Sequence, residues 1–245
     1  MTAPDFLLIS CEHGGNRVPA AYRHLFAGCG ALLRSHRGVD IGALRLARDM
    51  ARALSAPLYA GTVSRLLVEL NRSPHHPRLF SGQTRAAPPA LRRELIEHYY
   101  LPYRNRVQAR IANAISDGAR VVHVSCHSFT PELDGDLRNA DVGLLYDPRR
   151  AAELRLCRLW RTACKRIAPD LKVRMNYPYA GTADGFITCL RRQFPAERYI
   201  GIELELNQRH ALGTAAHWRA VRHAVIDALH EALASASASA SAEKE

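Results

Sequence analysis

Apolar and polar positions along the chain alternate between two rhythms. Short unbroken apolar runs closed by Gly, Asn or Pro predict strands, and apolar residues recurring every three or four positions predict amphipathic helices. The first run, Leu7-Leu8-Ile9-Ser10-Cys11, ends in Glu12-His13 and a Gly14-Gly15-Asn16 turn. It predicts a buried strand that delivers its last side chains to a loop. Residues 20–33 have mixed spacing and suit a short helix or an irregular segment. From Ile41, the positions Leu44, Leu46, Ala47, Met50, Ala51 and Leu54 keep helical period, which puts Asp40 at the N-cap or first turn. Pro57–Tyr59 suits a short strand. Ser64–Leu70 suits a clearer one, with Leu66, Val68 and Leu70 alternating against Arg65, Leu67 and Glu69.

A loop from Asn71 to Pro89 leads to an amphipathic helix over Ala90–Asp117, bent at Pro102. Val121–Ser125 predicts a strand running into Cys126-His127-Ser128-Phe129-Thr130-Pro131. A polar loop (residues 132–139), a strand over Val142–Tyr146 and a helix over Arg150–Ile167 follow. Val173–Thr182 predicts a turn-rich loop, Gly185–Gln193 a helix, Tyr199–Leu206 a strong strand and His217–Leu233 a closing helix. Strands alternating with helices predict one α/β domain over residues 1–233 with a mainly parallel sheet. The Ser-Ala repeat that follows lacks bulky apolar residues and predicts a disordered tail over residues 234–245.

Composition narrows the class. At 245 residues and 47% apolar content, the chain can bury a core without a metal or disulfides to hold it. No apolar stretch approaches the length of a membrane span, and the first residues show no charged region leading into a secretory core. We therefore expect a cytoplasmic protein with no membrane partner. The six cysteines (11, 29, 126, 157, 164 and 189) form no CxxC pair and are expected to be reduced thiols. The net charge of +11 is almost all Arg, scattered through helical segments without interleaved aromatics. That scatter argues against nucleic-acid binding, which requires a concentrated basic patch. An Arg-rich protein that binds nucleic acid or an acidic ligand without catalysis is the alternative from another class.

In an open α/β sheet, ligands bind at the carboxyl ends of strands, where the chemically equipped residues here also fall. His13 and His127 both follow predicted strands. Catalytic zinc takes three His or carboxylate ligands and keeps a fourth position for water, so two such histidines need one more partner. Asp40 is the first choice for it, with Glu12 and His36 as competitors. Glu203 and Glu205 alternate on an otherwise apolar strand and share one face. Buried carboxylates need a cation or hydrogen bonds, and a glutamate beside an activated water is what general-base hydrolysis requires. Glu205, nearer the carboxyl end, is the expected base, with Glu203 behind it. Arg65 and Arg72 would clamp an acidic substrate through bidentate hydrogen bonds, and Asn16, Asn71, Ser128, Asn176 and Tyr179 are expected to add contacts.

Together, Cys11-Glu12-His13-Gly14-Gly15-Asn16, His36…Val39-Asp40-Ile41-Gly42-Ala43, Ser64-Arg65-Leu66…Asn71-Arg72, Cys126-His127-Ser128-Phe129-Thr130-Pro131 and Asn176-Tyr177-Pro178-Tyr179 resemble the N-formylglutamate amidohydrolase family. The resemblance runs from about residue 7 to 210 and is carried by the combination of motifs in order. Glu69 departs from it, standing where the family has Asp. The resemblance implies a three-layer αβα sandwich with a mainly parallel mixed sheet, like that of the zinc carboxypeptidases and zinc-dependent cell-wall amidases. It implies Zn²⁺ (or Co²⁺, Mn²⁺ or Fe²⁺) on His13, Asp40 and His127, with a late-strand Glu as base; Glu205, followed by Gln208, fits that register. It further implies hydrolysis of N-formyl-L-glutamate, or a related N-acyl amino acid, to formate and L-glutamate, a step of histidine degradation. A zinc amidase acting on another N-acyl amino acid or a cell-wall peptide is the alternative within enzymes.

Overall fold

The computed structural model describes residues 5–242, with side chains to residue 238. The strands are β1 (Asp5–Cys11), β2 (Leu58–Ala60), β3 (Arg120–Phe129), β4 (Glu132–Leu133), β5 (Asp136–Leu137), β6 (Val142–Leu145), β7 (Val173–Met175) and β8 (Tyr199–Asn207). The helices are α1 (Gly30–Arg34), α2 (Ala43–Ala53), α3 (Gly82–Arg85), α4 (Pro89–Leu95), α5 (Leu101–Ser116), α6 (Ala151–Ile167), α7 (Phe186–Gln193), α8 (Gln208–Ala211) and α9 (Ala215–Ala242). Six strands form one sheet in the order β2-β1-β3-β8-β6-β7, while β4 and β5 pair in a separate small hairpin. Pairs β1–β2, β1–β3, β3–β8 and β6–β7 are parallel, and only β6 runs against β8. The fold is thus the mainly parallel α/β architecture expected.

Strand periodicity sorts the two faces. Ile9, Cys11, Val122, Val124, Cys126, Ile202, Leu204 and Leu206 pack with α2, α6 and α9 in the larger core. Leu8, Val121 and Tyr199 pack with Val107 and Ile111 of α5 and with Phe186, Ile187 and Leu190 of α7. Towards the carboxyl ends of the strands that second face turns polar, at Ser10, Ser125, His127, Glu203 and Glu205. Burying so many polar groups is tolerable only where they satisfy one another. All six cysteines are unpaired, and among the described residues no helix is long and apolar enough to cross a membrane.

Several elements differ from the sequence pattern. Ser64–Leu70 forms turns instead of a strand, and only the neighbouring Val63 makes an isolated bridge, to Arg17. Leu66, Leu67, Val68 and Leu70 are all buried, in a third apolar cluster with Leu79 and Tyr100, so the alternation did not mark a half-exposed strand. The long helix is interrupted by a π-helical turn at Ile96–Tyr100 just before Pro102. Proline has no N–H to donate to the His98 carbonyl, and the looser turn absorbs the lost bond. Strand β3 runs on through Phe129, which places His127 on the sheet rather than in a loop. The predicted loops at residues 132–139 and 173–182 contain β4–β5 and β7. Helix α9 does not end at Leu233: residues 234–242 continue it, contrary to the expected disordered tail, and residues 243–245 lie outside the described ones. Alanine has the highest helix propensity, and extending an existing helix requires no new nucleus.

Candidate active site

The register of β3 against β8 sets the centre of the site. His127 pairs with Glu205 and Ser125 with Glu203, so all four lie on one face. His13 stands just past the end of β1, and its carbonyl accepts a hydrogen bond from the Asp40 backbone N–H at 3.0 Å. That bond brings the turn before α2 down beside β1. Asp40 does not cap α2; its carboxylate is turned towards the histidines. Asp40 Oδ2 lies 3.2 Å from His13 Nδ1 and 2.9 Å from His127 Nδ1. The three buried residues offer ligand atoms within 4.8 Å of one another. His36 is exposed and takes no part.

Each imidazole turns one nitrogen to Asp40 and the other to a separate carboxylate. His127 Nε2 is 3.1 Å from Glu12 Oε2, and His13 Nε2 meets Glu69 Oε1. Glu12 also accepts hydrogen bonds from Ser125 Oγ and, at 2.8 Å, from Tyr103 OH. Arg65 is fully engaged: NH1 donates to Asp40 Oδ1 at 3.0 Å, and Nε and NH2 donate to Glu69 Oε2 at 2.9 and 2.6 Å. Farther down the same face, His123 bridges Ser10 Oγ and Tyr199 OH at 2.8 and 2.9 Å.

These contacts set the charges. Burial alone would raise Glu12, but the hydrogen bond and charge of His127 hold it far below the usual carboxylate range. Asp40 and Glu69 are likewise kept low against burial, Asp40 first by His13 and then Arg65, Glu69 first by Arg65 and then His13. Burial opposes protonation of His127, yet its hydrogen bonds to Asp40 and Glu12 raise it well above the ordinary value. Glu205 is the exception. Burial, with Asp40 and Glu203 adding to it against His127 and Arg65, pushes it up to about 8. Its Oε2 is buried with no hydrogen-bond partner.

A family model described as N-formylglutamate amidohydrolase matches residues 6–212. The chain belongs to the N-formylglutamate amidohydrolase family. Membership makes it a hydrolase acting on an amide bond. Among solved structures, a gene product of Agrobacterium tumefaciens has 26% identity and a TM-score of 0.81, covering 94% of this chain and 90% of that one. An N-formylglutamate amidohydrolase from Ralstonia eutropha has 19% identity and a TM-score of 0.66, covering 94% of this chain and 95% of that one, and supports the shared fold. No curated protein matches.

Within this amidohydrolase fold, the remaining expected residues divide. Arg72 is half-buried, and its NH1 donates to the Asp184 carbonyl. Asn71 Oδ1 accepts the Phe186 N–H at 2.7 Å, at the start of α7. Ser128 Oγ donates to the Ile41 carbonyl at 2.9 Å and lies 3.1 Å from Gln208 Nε2, tying β3 to the Asp40 turn and to α8. Asn176 Oδ1 accepts from the backbone N–H groups of Tyr146 and Gly181, which makes it a turn former. Asn16 is exposed at the rim, and Tyr179 is exposed and held by Arg138. Sequence reasoning missed the part of Glu69, although a carboxylate inside Leu66–Leu70 was a usable signal. Tyr103, inside a helix, gave none.

Proposed function

We propose that this hydrolase is a metal-dependent N-formyl-L-glutamate amidohydrolase releasing formate and L-glutamate. The observation that carries the reading is the meeting of His13, Asp40 and His127 beside a glutamate with an orphaned buried oxygen. Two imidazoles and one carboxylate are the donor set of catalytic zinc. The donors fit a divalent cation further, since each histidine's outer nitrogen is held by a carboxylate that fixes its orientation. Zn²⁺ is the proposed ion, and Co²⁺, Mn²⁺ and Fe²⁺ suit the same donors. When bound, such an ion polarises the formyl carbonyl and lowers the pKa of its water towards neutrality.

Glu205 supplies the proton transfers. Burial, Asp40 and Glu203 disfavour its charge while His127 and Arg65 favour it, and a divalent cation held by His13, Asp40 and His127 would shift it further towards the ionised carboxylate that the reaction needs. Glu205 then removes the proton of the attacking water and returns it to the leaving amide nitrogen. Glu203, two residues earlier on the same face, adds to the field around Glu205. Arg72 holds one substrate carboxylate, and Asn71 and Asn16 add hydrogen bonds to the substrate. Arg65 supports the ligands instead of clamping substrate, because both of its edges are occupied by Asp40 and Glu69. The six unpaired cysteines suit a reducing compartment, and we place the reaction in the cytoplasm, in histidine breakdown.

Metal analysis of the purified protein alongside formate release from N-formyl-L-glutamate tests this. We expect about one divalent ion per chain, loss of activity on chelation and recovery on adding Zn²⁺. Full activity of metal-free protein, or acetate release from N-acetyl-L-glutamate in preference to formate, would refute it.

A further inference from the structure

We propose that Arg138 holds the side-chain carboxylate of the substrate and so sets the preference for acidic over neutral N-acyl amino acids. This rests on the amidohydrolase reading above and extends it to a residue that sequence reasoning passed over. The position follows from the sheet register. His127 is paired with Glu205, and the next pair on the same face is Phe129 with Asn207. That pair lies one side-chain repeat, roughly 6–7 Å, nearer the carboxyl end of the strands. Arg138 is docked on both of its members. The guanidinium carbon lies 6.0 Å from the Phe129 ring centroid, and the Arg138 carbonyl accepts from Asn207 Nδ2 at 3.3 Å. Its own N–H donates to the Pro131 carbonyl at 2.8 Å. The residue is therefore fixed in place just beyond the ligand and the base.

Orientation and charge complete the argument. The guanidinium carbon also lies 5.1 Å from the Tyr179 ring centroid, and NH1 donates to the Tyr179 hydroxyl at 3.0 Å. These contacts hold the group in place, and among the described residues Nε and NH2 have no hydrogen-bond partner. Among the described residues no carboxylate pairs with Arg138, whereas Arg65 pairs with Asp40 and Glu69, Arg191 with Glu153 and Arg209 with Asp141. A half-buried cation without a counter-ion, beside a reaction centre, attracts an anionic group. The loop carrying Tyr179 is drawn down to that centre. Gly143 is paired with Glu205, and a Cβ at Gly143 would stand 1.8 Å from the Tyr177 carbonyl oxygen. An N-acyl glutamate carries two carboxylates. With Arg65 committed to Asp40 and Glu69, Arg72 takes one of them and Arg138 the other.

The test compares L-glutamate with its neutral isostere L-glutamine on Zn²⁺-loaded protein, by calorimetric binding and by formate release from their N-formyl derivatives. Wild type, Arg138→Gln and Arg138→Lys are compared after metal content and melting temperature establish that they are folded. We expect the glutamate-over-glutamine preference to fall by about tenfold or more in Arg138→Gln, with partial recovery in Arg138→Lys. An unchanged preference in Arg138→Gln, equal weakening of both ligands, or a wild type that binds the two alike overturns the assignment. A wild type that binds glutamate selectively yet releases no formate refutes the amidohydrolase reaction and leaves the binding comparison to decide Arg138.

Discussion

The orphaned carboxylate of Glu205 makes a quantitative prediction for the metal-free protein. An ordinary glutamate titrates near 4.5, whereas burial pushes Glu205 to about 8. A carboxyl group whose pKa rises on folding favours the folded state at low pH, where it is protonated in both states. That advantage is lost as pH climbs from about 4.5 to about 8. By linkage, Glu205 destabilises the metal-free fold by roughly 3 kcal/mol at pH 7 but only about 1 kcal/mol at pH 5. Glu205→Gln keeps the volume and removes the charge, although its amide has its own unmet hydrogen bonds at a cost of ~1–3 kcal/mol. That cost does not depend on pH, so it cancels in a comparison between two pH values. The stability difference between variant and wild type, from urea unfolding of chelated protein, should shift in favour of the variant by roughly 2–3 kcal/mol from pH 5 to pH 7. The same variant, reloaded with metal, should lose activity by about 10²–10⁴-fold for want of its base. A stability difference that stays flat across this range, or a variant that retains full activity, would refute the reasoning.

Three further outcomes are expected. Arg65→Ala leaves Asp40 and Glu69 without their shared cation and should destabilise the protein by about 3–5 kcal/mol in urea unfolding; a loss near zero would show that Arg65 is not the support described. Asp141 is buried against His210, Arg209 and the Lys172 N–H, and although burial raises it, the His210 bond leads the contacts that hold it below its ordinary value. Its stabilisation is present above the ordinary Asp range and lost as pH falls through the lowered value, so Asp141→Asn should flatten the acid limb of the wild-type stability profile below about pH 4. Gly143→Ala must displace the Tyr177 carbonyl, and it should lower the melting temperature and raise KM more than it lowers kcat.

The parts of the fold legible in the sequence were those whose burial is one-sided or complete over a full element. β1, β8 and α2 came directly from their apolar rhythm. The pairing of His13 with His127 across β1 and β3 was legible because both residues close apolar runs. Ser64–Leu70 was not, because its alternation is that of a loop buried on all sides against Leu79 and Tyr100. Side-chain partnerships were the least legible. Nothing in the order of residues says that Arg65 spends its donors on Asp40 and Glu69, or that the oxygens of Asn71 and Asn176 serve backbone turns. Arg138 lies in a polar stretch that gave no pattern, and only the hairpin and the register of β3 on β8 bring it to the site.

The strand order has a consequence for how the chain is made. Of the six strands in the sheet, β8 is the last to leave the ribosome, yet it occupies the middle, between β3 and β6. Until residue 207 has emerged, the nascent polypeptide holds two unjoined half-sheets, each with a bare hydrogen-bonding edge open to foreign strands. Glu205 arrives on the very segment that zips the halves together, so the hydrolytic centre comes into being only as that hazard ends.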